Sequence, residues 1–297
     1  MQMTYRAVAL VACQLATTSY ADQFSMIQES GSAERIELAD ELRSLTQEVA
    51  SAACHLHSLV EVDRSKEQLR EAIGGFDTRL IALRDGDPAL GLIGAEHKPR
   101  VLRDILEIHD IWVPIMTASE TLLQNPADFD AAKLIYLEIQ RLFTKADDTF
   151  VHISGEYSNS VELLEADAIV LDIVGQQVVN SQRLAYDACR LGSLTADPVL
   201  TADLENTVTH FERALFALRF GQPSIGVQTA PTLEIAEHLE QAVEDWADIR
   251  AITDPMVAGE YVSLDQRARL FHLMDQKLHS MRELTHLYVE YSKRTLH

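Results

Sequence analysis

Positive charge is scarce in this 297-residue chain. Its 25 lysines and arginines face 46 aspartates and glutamates, so the formal net charge is −21 at pH 7. Such a surface repels nucleic acid and anionic lipid, and we exclude both as partners. The simplest interpretation is a highly soluble surface; an acidic patch that serves cations or a basic partner is the alternative.

Long apolar runs are also missing. No segment approaches the roughly 18 unbroken apolar residues of a membrane span. Residues 1–21 are instead typical of an export signal, because an apolar stretch precedes the small-x-small sequence Ser19–Ala21 and Asp22. A lipoprotein signal is the alternative, since Leu10–Cys13 has lipobox character. We expect the mature protein to be soluble and either periplasmic or secreted.

Cysteine is rare, with three residues in the whole chain. Cleavage of the signal would leave Cys54 and Cys189, which occupy equivalent positions in the two repeats described below. An oxidising compartment permits a disulfide, but a bridge requires the repeats to pack closely about the helices that carry the cysteines. We expect two buried free thiols and keep the disulfide as the alternative.

Signatures of catalysis are absent too. The chain contains no Gly-x-Ser-x-Gly, His-Glu-x-x-His or Gly-x-Gly-x-x-Gly sequence and no phosphate loop. His272, His279 and His286 are seven residues apart, so on a helix neighbours lie about 10 Å from one another, too far to share one metal ion. We interpret them as surface or seam histidines, and we expect no metal site, no cofactor and no enzymatic activity.

What the chain does contain is a repeat. Residues 76–92 recur at 211–227 without a gap and with eight identities in seventeen positions, where chance would give about one. The same offset of 135, reduced by a one-residue deletion for the last pair, matches Gln47 with Gln182, Cys54 with Cys189 and Trp112 with Trp246. The chain is one unit written twice, and each unit is long enough for its own core.

Helical periodicity fills both units. Between Glu34 and Val60, apolar residues recur at spacings of four and three, which predicts an amphipathic helix. The whole pattern predicts an all-α protein of two tandem four-helix bundles with long antiparallel helices. The expected helices are 34–60, 64–84, 99–124 and 128–153, then 161–191, 198–220, 233–252 and 263–295. The expected domains are a signal peptide at 1–21, a first bundle at 22–157 and a second bundle at 158–297.

Two further features have structural interpretations. The Gly/Pro loops at 86–94 and 221–231 follow helices, and their glycines and prolines suit turns that stop a helix from resuming. No lysine, serine or threonine follows at the spacing of a phosphate loop. We interpret Trp112 and Trp246, in mid-helix, as core anchors rather than ligand platforms.

The first helix of each unit keeps residues that lie off its leucine seam. Gln47 and Cys54 fall on the outer face of that helix, and Gln182 and Cys189 stand at the same positions in the second copy. A face kept in both copies suggests a second close helix neighbour. That neighbour belongs either to the same bundle, to the other repeat or to another chain, so a homodimer and an intrachain pseudo-dimer both stay open.

The two units also share specific sequence patterns. Residues 36–48 and 171–183 are similar to Ile-Asn-x-Ala-Gly-x-x-Arg-Met-x-Ser-Gln-Arg, and residues 80–86 and 215–221 match Leu-x-x-Leu-Arg-x-Gly. In these patterns the chain resembles the PilJ-type sensor domain at the N-terminus of type IV pilus methyl-accepting chemotaxis transducers. A related module occurs in nitrate/nitrite sensor kinases. The resemblance covers nearly the whole mature chain as two copies, and it implies a sensory function.

The chain departs from the nitrate sensors at their ligand arginine, which two chains contribute to one anion. Arg43 occupies that position in the first unit, but Val178 stands there in the second. A symmetric clamp of two arginines cannot form inside one chain, so we do not expect nitrate binding. Because the chain ends at His297, just after the second unit, we expect a free-standing double module without a transmembrane or output domain.

We therefore predict a non-enzymatic periplasmic sensory or ligand-binding protein. If the first helices, 34–60 and 168–191, pack as a pseudo-dimer, polar residues from both would line the ligand site. These candidate residues are Arg43, Gln47, Asn180, Gln182 and Arg183. The alternative is a protein-interaction module that docks on a membrane-bound signalling protein without a small ligand.

Overall fold

Eight long α-helices make up the described part of the chain, which comprises residues 31–157, 165–193 and 197–295 of a computed structural model. The first unit contains α1 (Ser32–His57), α2 (Val62–Asp85), α3 (Pro99–Gln124) and α4 (Phe129–Tyr157). The second contains α5 (Glu165–Ser193), α6 (Pro198–Phe220), α7 (Leu233–Val257) and α8 (Leu264–Thr295). No strand occurs among these residues, so the predicted all-α class is confirmed, and every predicted helix is present.

The predicted domain boundaries stay predictions. The expected signal peptide at 1–21 and the expected joint between the units at residues 158–160 both lie outside the described residues. Within the described ranges, no helix is both long and apolar enough to cross a lipid bilayer.

Each bundle buries its own apolar core. In the first unit α1 packs on α2 and α4, and α3 completes the bundle against both of those helices; α5 to α8 repeat this arrangement. An aromatic pair lies in the same place in each core, with ring centroids 4.1 Å apart for Phe76 and Trp112 and 4.5 Å apart for Phe211 and Trp246. Both tryptophans are buried, which confirms them as core anchors.

The Gly/Pro loops are turns that end α2 and α6, as predicted. Gly86 and Gly221 follow the two helices with φ angles of 83° and 75°, a region that side chains with a Cβ atom rarely enter. A Cβ on Gly86 would lie 2.6 Å from the backbone oxygen of Gly94, so the loop could not close with another residue there. Each loop then makes one short 3-10 turn, at Pro88–Leu90 and at Pro223–Ile225.

Candidate functional site

The first helices of the two units, α1 and α5, pack against each other along a contact that we call the seam. The Cα atoms of Cys54 and Cys189 are 6.2 Å apart. The hydroxyl oxygens of Ser58 and Ser193 are 2.6 Å apart. Each of these pairs joins residues 135 positions apart, so the helices run parallel and in register. The sequence left open which helix packs against the outer face of α1. In the structure that neighbour is α5, the equivalent helix of the other repeat.

The seam overturns the prediction for the cysteines. Cys54 and Cys189 form a disulfide instead of two free thiols. They are buried, as expected, with exposed fractions of 0% and 2%. The prediction was wrong because it assumed that the repeats would not pack closely about these helices, whereas the seam brings the equivalent positions of α1 and α5 face to face.

Small and polar side chains fill the seam. Moving back from Cys54 and Cys189 in steps of three and four residues leads to buried side chains on both helices. These are Ser51, Gln47 and Ser44 on α1 and Tyr186, Gln182 and Val179 on α5. One step further, a Cβ placed on Gly175 would lie 3.5 Å from Asp40 Oδ2. The spacing is that of a coiled-coil contact. Gln47 and Gln182 therefore occupy the same level of the seam, between the disulfide and the contact of Gly175 with Asp40.

Arg43 is buried but faces α4 of its own bundle. Its Nη1 donates to Asp40 Oδ1 at 2.8 Å, and its Nε lies 2.9 Å from Asp147 Oδ1 in an ion pair without hydrogen-bond alignment. Its guanidinium carbon lies 4.5 Å from the ring centroid of Phe150. The charge of Arg43 is already matched by two carboxylates, so an incoming anion would have to displace them.

Asp40 marks an acidic end of the seam. Burial raises the pKa of Asp40, and the nearby charge of Asp172 raises it further, whereas Arg43 lowers it. Asp147 is the second carboxylate that pairs with the Arg43 guanidinium. This end of the seam therefore favours a cationic or neutral molecule over an anion.

Arg183 and Asn180 are half-buried residues of α5. Arg183 Nε is 3.7 Å from Asp187 Oδ2, and that carboxylate accepts a hydrogen bond of 2.8 Å from Thr207 on α6. Gln47 and Gln182 are both buried on the paired helices α1 and α5, whereas Arg43 pairs with Asp147 on α4 and Arg183 with Asp187 on its own helix. Ligand binding by the five candidate residues stays a prediction.

Contacts from α8 add to the interface between the units, and sequence patterns did not reveal them. The His55 ring stacks on Phe271 with centroids 3.9 Å apart. Gln68 Nε2 donates to Asp275 Oδ1 at 2.9 Å, and Arg64 pairs with the same carboxylate. The charged residues carry no periodic signal, because one helix face does not record which distant helix lies opposite it.

One residue of the histidine stripe, His272, contacts the other unit. Arg64 Nη1 lies 2.8 Å from His272 Nδ1, and Glu61 is 3.6 Å from the same ring, so His272 belongs to the edge of the interface. His279 is exposed and lies 2.8 Å from the carbonyl oxygen of Asp275. Among the described residues, no group of three histidine, cysteine or acidic side chains could hold a metal ion.

Two cavities lie away from the seam. One of about 90 Å³ lies at the end of the second bundle, between the start of α5, the Gly/Pro loop and α8. The other is an open groove of about 510 Å³ between α3 and α4, lined by side chains of both charges such as Glu107, Arg141 and Asp148. None of the five candidate residues lines either cavity.

Comparison with known families gives one result. A family model described as "Type IV pili methyl-accepting chemotaxis transducer N-term" matches the chain twice, at residues 24–135 and 161–269. The two matches fall on the two units and together cover more than half of the sequence. No curated protein matches the chain.

Proposed function

Since this chain belongs to the PilJ family of type IV pili methyl-accepting chemotaxis transducer N-terminal domains, we propose that it is a non-enzymatic sensory protein that responds to a small ligand outside the cytoplasm. The observation that carries the proposal is the seam. Two sensor units pack through equivalent faces of their first helices, parallel and in register, inside one chain. One chain therefore supplies the intrachain pseudo-dimer that the sequence left open.

The disulfide supports the location. A bridge between buried cysteines persists in oxidising compartments and is rare in the cytosol. Together with the export signal expected at residues 1–21, it favours the periplasm or secretion.

The acidic end of the seam is the proposed ligand region. It holds Asp40 and Arg43 from α1 and Gly175 from α5, whose Cβ position lies 3.5 Å from Asp40 Oδ2. Two carboxylates pair with the Arg43 guanidinium, and the charge of Asp172 lies near one of them. On a protein of charge −21, this arrangement argues for a cation or a neutral polar molecule and against nitrate. A ligand held there would contact both units and could change their relative position.

A thermal-shift screen of the full protein against small cations, neutral metabolites and anions tests this proposal. A ligand at 100 times its dissociation constant adds about 2.7 kcal/mol of stability. We expect a shift with a cation or neutral compound that Asp40→Asn removes, while the exposed control Asp110→Asn keeps it. A shift with anions alone, or one that Asp40→Asn leaves unchanged, would contradict the proposed region.

A second candidate function is docking on a signalling protein, and one observation favours it. Phe216 and Phe220 on α6 are 64% and 52% exposed, with ring centroids 4.6 Å apart. The first unit has Ile81 and Asp85 at these positions, so the aromatic pair is particular to the second unit. Exposed apolar groups placed together are typical of protein interfaces.

A photo-crosslinking amino acid at position 216 tests docking. In cells, we expect a discrete adduct from position 216 and none from the exposed control position 151 on α4. Equal labelling from both positions, with a positive ligand screen, would leave the ligand sensor as the function.

A further inference from the structure

The end of the first bundle is closed by a buried arginine. Arg35, near the start of α1, reaches under the Gly/Pro loop and donates to the carbonyl oxygens of Leu83 at 3.0 Å and Gly94 at 2.8 Å. Its Nη1 is 3.4 Å from Glu96 Oε2. Tyr157 donates a 2.6 Å hydrogen bond to Glu96 Oε1, and the Arg35 guanidinium carbon lies 5.5 Å from the Tyr157 ring centroid. Both charged side chains are buried.

The second bundle has the same helices, loop and tyrosine at this end, but it lacks the two charged side chains. The offset of 135 places Val170 where Arg35 stands, and Tyr291 occupies the position of Tyr157 near the end of the last helix. The loop from Thr229 to the start of α7 is one residue shorter than its counterpart and contains no acidic residue that could replace Glu96. Both charges of the pair are therefore absent from this place in the second unit, so neither is left buried alone.

A cavity of about 90 Å³ lies in this place in the second bundle. Its wall includes Val170, Gln228, Thr229, Pro231, Tyr288 and Tyr291. The helices, loop and tyrosine that surround the Arg35 guanidinium in the first unit thus surround a cavity in the second. The space is larger than the roughly 10–15 Å³ that one water molecule requires by the same measure.

The wall determines which molecules suit the cavity. Among the side chains that the structure describes, none of those lining the cavity is charged, so an ion would lose its hydration without gaining a partner of opposite charge there. Hydrogen-bonding groups are nevertheless present: neither Tyr288 nor Tyr291 makes a side-chain hydrogen bond to the part of the chain that the structure describes, and Gln228 adds an amide. The Tyr291 ring corresponds to the ring beside which the planar guanidinium lies in the first unit.

We propose that this cavity binds a small uncharged molecule with a planar amide or urea group, in the place that the Arg35 side chain fills in the first unit. The planar group lies against the Tyr291 ring, and its N–H and C=O groups bond to the loop and the tyrosine hydroxyls. This site is separate from the seam, so it stands or falls independently of a ligand bound near Asp40.

A titration of the isotope-labelled full protein, followed by backbone-amide NMR, tests the proposal. Acetamide is the neutral probe, and guanidinium and acetate are probes of similar shape that carry a charge. We expect acetamide to cause saturable shifts at Val170, Gln228 and Thr229, with a dissociation constant on the order of 1 mM for its few non-hydrogen atoms. Both ions should bind at least about tenfold more weakly, because the described residues of the wall offer no counter-charge.

Two variants locate the effect. Val170→Leu narrows the cavity and Tyr291→Phe removes one hydroxyl, and each should weaken acetamide binding by about tenfold or more. Val199→Leu changes an exposed valine on α6 and should leave binding unchanged. The absence of saturable shifts in the wild type, binding as tight in either cavity variant as in the wild type, or a preference for either ion would overturn the proposal.

Discussion

Two buried titratable side chains lie next to the disulfide, and their pKa values are shifted in opposite ways. Asp187 precedes Cys189 on α5, and burial, opposed in part by the Thr207 hydrogen bond, raises the pKa of Asp187 to about 6. His55 follows Cys54 on α1, and burial lowers the pKa of His55 to about 4. Each shift of about two units corresponds to about 3 kcal/mol, so both residues affect how stability depends on pH.

Asp187 should destabilise the protein at neutral pH. Between pH 4 and 6 the unfolded chain releases the carboxyl proton while the folded chain keeps it, so the free energy of unfolding falls as the pH rises through this window. Asp187→Asn keeps an acceptor for Thr207 and should raise stability at pH 8 by about 1–3 kcal/mol, with little change at pH 4. Urea unfolding at both pH values measures the difference. The exposed Asp110→Asn is the control, and an equal gain at both pH values would refute the assignment.

His55 should act in the opposite direction. As the pH falls from 6.5 toward 4, the unfolded chain binds a proton that the buried ring refuses, so the wild type loses stability. His55→Gln removes this group. The loss of unfolding free energy between pH 6.5 and pH 4 should therefore be about 2–3 kcal/mol smaller in the variant than in the wild type. The slope is the readout, since the lost stacking on Phe271 lowers stability at every pH. His109→Gln, on a half-exposed side chain, should leave the slope as in the wild type.

At the scale of the elements, the disulfide links α1 to α5 across 135 residues. Closing a loop of this length restricts the unfolded chain, and the stabilisation expected from it is about 2–5 kcal/mol. We expect a reductant to lower the urea midpoint of the wild type and to leave a Cys54→Ala/Cys189→Ala variant unchanged. Reductant-insensitive unfolding of the wild type would show that the bridge is absent or contributes nothing.

The seam should also limit the size of the residue at position 175. A Cβ on Gly175 meets only Asp40 Oδ2, at an ordinary distance of 3.5 Å, so Gly175→Ala should be tolerated and gain up to about 1 kcal/mol of helix propensity. Gly175→Leu should force α1 and α5 apart and cost about 1–3 kcal/mol. Gly155 on α4 is the matched control, because nothing lies within 4 Å of its Cβ position. A leucine at 155 should stabilise, and equal effects of leucine at 155 and 175 would argue against a close seam.

Helices and turns could be predicted from the sequence because their causes are local. Apolar spacing of three and four residues fixed the buried face of each helix, and Gly86, Gly221 and the prolines that follow them fixed where α2 and α6 end. The kept outer face around Gln47 and Cys54 predicted a second close helix neighbour for α1 but left open which helix it is. The partners of Arg43 could not be predicted, since Asp147 lies on α4 more than 100 residues away and no pattern in α1 indicates which residue will face it.

At the scale of the whole molecule, duplication followed by divergence explains the distribution of polar groups. Both units keep three features of the fold: the aromatic pair in the core, the Gly/Pro turn and the outer face of the first helix. They differ in single positions, such as Arg35 against Val170 and Arg43 against Val178. Because these features are shared, each difference changes one site without changing the fold, and the units stay joined at the seam.

The net charge of −21 acts on the molecule as a whole and gives the last prediction. Like charges on both bundles repel one another across the seam, and salt screens them beyond a distance of about 10 Å at 0.1 M. The exposed ion pairs weaken with salt too, but each contributes only about 0–1 kcal/mol. We therefore expect the melting temperature to rise by a few degrees, roughly 2–6 °C, between 10 mM and 500 mM sodium chloride. Choline chloride should give the same rise, because screening depends on ionic strength and not on the identity of the cation. A melting temperature that falls with salt would mean that the ion pairs, and not the repulsion, dominate the surface electrostatics.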